Sequence, residues 1–223
     1  RPPPERFAAI AADGNFLLPR EQAGDEARLM DAARHGDIEA VRALLAAGAN
    51  PNIGDYWRDA PLLEAVRQDS LELAQILLDA GAVPSLKGRG YTPLGLAAKN
   101  GNVRLVEMLL RAGADPDRKS DDGDTPMHAA ALMGHAGVID ALARARPDWR
   151  LYNREGLSAL AVAAANGQYA AAKALARAGA PLDWGDKKFH PPLWWAFSVG
   201  DFDMARLLLK LGAAPGQLPV GAL

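Results

Sequence analysis

The sequence predicts an all-α array of stacked helix-turn-helix units joined by extended loops, and three periodic features carry that prediction. Segments beginning at Ala27 (ARLM), Ala60 (APLL), Thr92 (TPLG), Thr125 (TPMH), Ser158 (SALA) and Pro191 (PPLW) recur at spacings of 33, 32, 33, 33 and 33 residues. Self-similarity at such a fixed period marks a solenoid, in which each unit buries its apolar face only against its neighbours. Five residues after each start stands an alanine, at Ala32, Ala65, Ala97, Ala130, Ala163 and Ala196. Nine residues after each start come Gly36, Asp69, Gly101, Gly134, Gly167 and Gly200.

Each feature has a physical role within the unit. The small alanine row lets neighbouring helices approach closely. The glycine row supplies the turn between two antiparallel helices, where positive φ is needed, and Asp69 is its one departure. The second helices follow as apolar stripes at helical spacing, such as Val41, Leu44 and Leu45, or Val106, Leu109 and Leu110. They close with Gly48-Ala49, Gly81-Ala82, Gly113-Ala114, Gly179-Ala180 and Gly212-Ala213, the glycine acting as a left-handed cap before an extended finger loop. Arg146-Pro147 fills that slot in the fourth unit, which predicts an irregular junction because proline cannot continue a helix interior.

The array is expected to cover residues 26–215, between an N-terminal extension at 1–25 and a tail at 216–223. The extension opens with Pro2-Pro3-Pro4, which favours polyproline geometry, and carries Phe7, Ile10, Phe16, Leu17 and Leu18, which suit a cap over the open edge of the first unit. The last unit carries Trp194, Trp195, Phe197 and Phe202, where a terminal unit normally turns a polar face outward. Leu218, Pro219, Val220 and Leu223 of the tail are expected to cover it, and a second subunit is the other candidate.

These features together resemble the ankyrin repeat family, whose signature is T-P-L-H-x-A followed by a glycine turn, an apolar second helix and Gly-Ala-Asp. The resemblance spans six repeats over about residues 26–215. It implies that the Thr and His of the motif lock the start of the first helix, and here only Thr125 with His128 keeps both. Elsewhere the fourth motif position holds Met30, Leu63, Gly95, Ala161 or Trp194. The resemblance further implies a concave side, lined by finger loops and first helices, that binds another protein.

Composition narrows the alternatives. Lys and Arg number 25 against 27 for Asp and Glu, a formal charge of −2, so no global positive field draws in nucleic acid. No apolar run approaches the roughly 20 residues of a membrane helix, and the chain is expected to be soluble. It has no cysteine, which excludes disulfides and zinc–thiolate sites but leaves both the cytoplasm and an oxidising periplasm open. The first residue is Arg1, as in a processed or trimmed chain, so a periplasmic protein would already have lost its signal segment.

No catalytic, metal or cofactor signature emerges. None of His35, His128, His135 and His190 forms a zinc-protease pair, and His128 and His135 are expected to be structural. Around Gly123 a calcium-loop alignment puts Arg118 first and Ala129 last, where carboxylates are required. Gly88-Arg89-Gly90 lacks the later residues of a phosphate loop. An unrecognised enzyme centred on Asp121, Asp122 and His128 is the remaining catalytic alternative, against the expectation of a non-enzyme.

The repeat register locates the partner-binding candidates. Seven and eight residues after each start lie Arg34-His35, Arg67-Gln68, Lys99-Asn100, Leu132-Met133, Ala165-Asn166 and Ser198-Val199, with basic side chains in the first half only. The fingers add Tyr56, Trp57 and Arg58, then Lys87, Arg89 and Tyr91, then Asp121, Asp122 and Asp124, then Tyr152 and Arg154, then Lys187, Lys188 and Phe189. Aromatic residues and arginine are the types enriched at interface hot spots. The predicted protein-binding set is therefore Arg34, Tyr56, Trp57, Arg58, Arg67, Lys87, Arg89, Tyr91 and Lys99, facing a partner with an acidic patch. Trp149, in register with Pro51, Pro116 and Leu182, is expected to pack between fingers. A bare array biased toward Ala, Leu, Gly and Arg also suits an inhibitor or immunity-type protein that blocks a bacterial enzyme. A monomer is expected, with a dimer through the sixth repeat as the second arrangement.

Overall fold

The computed structural model describes residues 22–53, 59–88 and 90–215. Among them are twelve helices in six antiparallel pairs and no strand. The first helices of the pairs are α1 (Gln22–His35), α3 (Pro61–Arg67), α5 (Pro93–Asn100), α7 (Pro126–Met133), α9 (Ala159–Ala165) and α11 (Pro192–Ser198). The second helices are α2 (Ile38–Ala46), α4 (Leu71–Asp79), α6 (Val103–Arg111), α8 (Ala136–Arg144), α10 (Tyr169–Arg177) and α12 (Phe202–Leu211). Helix α1 thus starts upstream of the boundary at 26 expected for the array. No helix of the described residues is long and apolar enough to cross a membrane.

From α3 onward the first helices begin where the repeat starts place them, and at three of them the residue there caps. Thr92, Thr125 and Ser158 accept the N–H of the residue three positions on, at Gly95, His128 and Ala161. Asp37, Ser70, Asn102 and Asp201 do the same for second helices. Each such cap satisfies an orphan backbone donor and contributes about 1 kcal/mol. Proline at the first helical turn of α3, α5, α7 and α11 sacrifices only a donor that would have had no partner.

The turn row takes positive φ throughout, from 51° at Asp69 to 80° at Gly101 and Gly134. Asp69 tolerates this conformation with its Oδ1 near Asn100 Nδ2 (3.5 Å) and Asn102 Nδ2 (3.4 Å) of the next unit. At Gly134 the glycine is also a matter of space, since a Cβ would lie 2.4 Å from Gln168 Oε1. That glutamine donates to Leu132 O (2.9 Å), and Gln68 and His135 likewise donate to Ala33 O and Lys99 O. At these three junctions a side chain of the following unit satisfies an open carbonyl at the end of the preceding first helix. His135 has this structural role.

The junction expected to be irregular keeps its shape. Arg146 itself adopts φ 54°, and its N–H donates to Ala143 O (3.1 Å) as a capping glycine would. What Pro147 removes is the next bond, the counterpart of Ala114 N to Leu109 O (2.9 Å) in the preceding unit. A left-handed arginine costs about 1 kcal/mol, so Arg146→Gly is expected to raise stability by about 1 kcal/mol, read as a higher urea midpoint at unchanged slope.

The one 32-residue spacing also has a physical origin. The later fingers are closed by Ser120 N to Asp124 O, Asn153 N to Leu157 O and Asp186 N to His190 O, at 2.8 to 3.0 Å. In the second finger the bond runs from Gly88 N to Tyr91 O (3.0 Å), so the hairpin is one residue tighter.

The core runs the length of the array. Ala65, Ala97, Ala130, Ala163 and Ala196 have no exposed surface where first helix meets first helix. Leu73, Leu105, Leu109, Ile139, Leu142, Leu175 and Leu208 are sealed between the two layers. Trp149 is half-buried against this core, in keeping with its expected packing role. The extension residues Phe7, Ile10, Phe16, Leu17 and Leu18 and the tail residues Leu218, Pro219, Val220 and Leu223 lie outside the described residues.

Candidate partner-binding face

The ends of the first helices present the predicted row as a surface. Arg34, His35, Arg67, Gln68 and Asn100 are exposed and Lys99 is half-buried; Leu132, Met133, Asn166, Ser198 and Val199 are exposed further along. The row therefore changes from basic to uncharged between the third and fourth pairs.

Of the nine predicted contact residues, five are described, and each has a partner within the chain. Arg67 sits between two buried carboxylates, 2.8 Å from Asp59 Oδ2 and 2.7 Å from Glu64 Oε1. Arg34 approaches Glu64 from the neighbouring helix at 3.8 Å. Partial burial works against the Arg67 charge, but Asp59 and Glu64 outweigh it and push its pKa up. Lys87 pairs with Asp121 of the next finger, and that contact holds the Asp121 carboxyl below its ordinary range. Lys99 donates to the Tyr91 hydroxyl (2.6 Å), with its ammonium 4.7 Å from the ring centroid. The finger bearing Lys87 is seated tightly, because a Cβ on Gly88 would meet Leu63 Cδ2 at 2.4 Å and Asp59 Oδ1 at 2.5 Å. Tyr56, Trp57, Arg58 and Arg89 lie outside the described residues.

Spacing alone did not reveal these ion pairs. Asp59 precedes α3, and its carboxylate meets Arg67 only once the helix has formed; Lys87 and Asp121 belong to adjacent fingers. The cross-finger period was the signal available.

The catalytic alternative meets a structural histidine. His128 is 2% exposed, its Nε2 lies 2.9 Å from Leu157 O and its Nδ1 2.8 Å from Thr125 Oγ1. Burial pushes its pKa down to about 4. Nδ1 thus locks the start of α7 at its cap, the role the motif implied, and Nε2 ties α7 to the following finger. Among the described residues no group of three or more His, Cys, Asp or Glu side chains could hold a metal ion.

Stacked helix pairs joined by finger loops define a helical repeat protein. The family model of ankyrin repeats (3 copies) matches residues 29–120, 62–148, 94–186 and 137–217, and the chain belongs to the ankyrin repeat family. Repeats of this family are generally protein–protein interaction modules. No curated protein matches the sequence.

Proposed function

We propose that the chain is a non-catalytic module that holds a partner protein against the face built by its first three helix pairs and their fingers. The contact set is Arg34, Tyr56, Trp57, Arg58, Arg67, Lys87, Arg89, Tyr91 and Lys99, and the matching patch on the partner is acidic. The observation that supports this most is the Arg34–Glu64–Arg67–Asp59 network. Two carboxylates, 9% and 3% exposed, fix guanidiniums at the ends of successive first helices. Immobilising such a side chain at an interface otherwise costs about 0.5–1.5 kcal/mol, so this network supplies preorganised donors. Because carboxylates already balance Arg67 and Lys87, discrimination rests on directed hydrogen bonds to partner carboxylates rather than on a diffuse positive field.

The double variant Trp57→Ala/Arg89→Ala is expected to bind the partner at least tenfold more weakly, about 1.4 kcal/mol, with its circular dichroism intact. Measured on partner captured from source extract by the wild type, unchanged affinity of the folded variant would sink the assignment.

A further inference from the structure

Successive fingers lie on one another through a repeated contact at their base. Val83 N donates to Asn52 Oδ1 (2.7 Å), Asp115 N to Ser85 Oγ (2.8 Å) and Asp148 N to Asp117 Oδ1 (3.1 Å). The next position of this row is Pro181, which has no N–H to give. The chain leaving α12 resumes the contact, for Ala214 N donates to Asp183 Oδ1 (2.8 Å). These partners stand 31 positions apart, or 30 across the shorter unit. Residue 214 therefore starts out as the base of a finger laid on the finger that bears Trp184 and Phe189.

A second row of contacts joins the finger tips at the same interval. Gly90, Gly123 and Gly156 take φ of 81°, 79° and 85°, and Phe189 follows in the row with φ 66°. Gly90 O accepts from Asp121 N (2.9 Å), Gly156 O accepts from Lys187 N (3.2 Å), and a Cβ on Gly123 would lie 2.8 Å from Arg154 N. Asp121, Arg154 and Lys187 are thus the residues that abut a tip, and the next position of their row is Val220. It belongs to residues 216–223, which carry Leu218, Pro219, Val220 and Leu223 and no charged side chain.

Phe189 itself is the outlier of the tips. It holds a left-handed backbone that bulky residues seldom adopt, and its ring is left in solvent, 79% exposed. The finger is built to keep it there. The buried Asp186 carboxylate accepts from Lys188 N (2.7 Å) and His190 N (2.9 Å), and a Cβ on Gly185 would meet Phe189 C at 2.7 Å. The ring borders a cleft of about 480 Å³ whose walls include Tyr152, Trp184, Pro191 and Ala214. Among the described residues Asp183 is the one charged residue of the lining, and it already accepts from Ala214 N. An aromatic cleft without a cation suits an apolar, uncharged occupant, and the segment that departs from its wall at Ala214 has that composition.

We propose that residues 216–223 dock across this cleft as the arm of a sixth finger, with Val220 on the Phe189 ring. Leu218, two positions away on the same face of an extended chain, turns with it into the cleft. Phenylalanine stands in the glycine row because the arm that abuts this tip brings an apolar side chain, where the earlier fingers bring a closely packed backbone. Leu218 is biased to the extended form by the proline that follows it, which lowers the entropy lost on docking. The eight residues span at most about 26–29 Å, and their tether at Ala214 holds them at high local concentration beside the cleft. Docked in this way, the segment shields the cleft from other chains. The inference does not rest on the assignment of the first three pairs.

The test uses the full chain, which has no cysteine of its own, so that Ala222→Cys takes a nitroxide label at one place. The amide resonances of Tyr152, Trp184 and Phe189 are expected to broaden at least threefold more than that of Leu73 in α4. The further change Leu218→Asp/Val220→Asp in the labelled chain should abolish that excess. Without the label, the same double variant is expected to raise the fluorescence of anilinonaphthalene sulfonate at least threefold over wild type, because the aromatic cleft is then uncovered. Absence of excess broadening would overturn the proposal, and so would equal dye fluorescence of the two proteins. Broadening at Phe202 and Leu209 in place of the cleft residues would seat the segment on the end face and overturn it as well. Broadening seen only between different molecules, in a mixture of nitroxide-labelled and isotope-labelled chains, would assign the cleft to a second copy and overturn it too.

Discussion

Acidification from pH 6.5 to 4 is expected to cost the folded protein about 3 kcal/mol through His128 alone. The unfolded imidazole takes up its proton near pH 6.5, whereas burial holds the folded one neutral down to about 4. Between those values the unfolded chain binds the extra proton, so stability is complete above the upper value and is lost as pH falls through the window. The hydrogen bonds explain why the proton is refused. With Nε2–H donating to Leu157 O, Nδ1 must accept, and it does so from Thr125 Oγ1 (2.8 Å) and Thr125 N (3.4 Å). A proton on Nδ1 would set donor against donor at the start of α7. Urea unfolding of wild type and His128→Asn at about pH 7 and about pH 4.5 tests this. The variant is expected to be about 1–3 kcal/mol less stable near neutrality, and the two proteins should converge on acidification. Parallel pH dependences would exclude His128 as the source.

The comparison with the variant matters because other groups titrate nearby with the opposite sign. Burial raises the carboxyl pKa of Asp117 and of Asp124. A carboxyl that holds its proton more tightly when folded contributes stability at low pH and loses it as pH rises. These groups blunt the wild-type curve and cancel in the difference.

The backbone of this fold was legible because its determinants are local and repeated. A residue that caps, an alanine that lets helices close up and a glycine that turns each act within a few residues, and repetition at 33 residues lifts them above coincidence. Even the exceptions at Asp69 and Arg146 fell at the correct backbone positions, and both residues simply adopt the positive φ of the glycine they replace. The candidate face was legible only in outline. Which cation is paired depends on fingers brought side by side, and Lys87 meets Asp121 across an interval that composition cannot report. Phe189 was visible as an aromatic finger residue, but its meaning lies in its backbone conformation. Aligning Gly90, Gly123 and Gly156 as a row of their own would have exposed it.

Leu109→Ala is expected to destabilise the protein by about 3 kcal/mol and to break the cooperativity of its unfolding. Leu109 has no exposed surface and lies in α6 of the third pair, between the layers. Truncating a sealed leucine removes its transfer free energy and leaves a cavity, for a total of about 2–5 kcal/mol. In a single globular core that loss would lower one transition. In a stacked array stability is the sum of unit terms and nearest-neighbour interfaces, so a lesion in one interior unit also weakens its coupling to both sides. The N-terminal pairs should then unfold ahead of the rest. Of the five tryptophans only Trp57 precedes the lesion, while Trp149, Trp184, Trp194 and Trp195 follow it. Tryptophan emission therefore reports the C-terminal half, and far-ultraviolet circular dichroism reports all helices. The dichroism midpoint of the variant is expected at lower urea than the fluorescence midpoint, whereas the two should lie closer together in the wild type. Coincident midpoints in the variant would show that the array unfolds as one unit, with interfaces strong enough to carry a three-kilocalorie lesion, a loss of about 3 kcal/mol, without uncoupling.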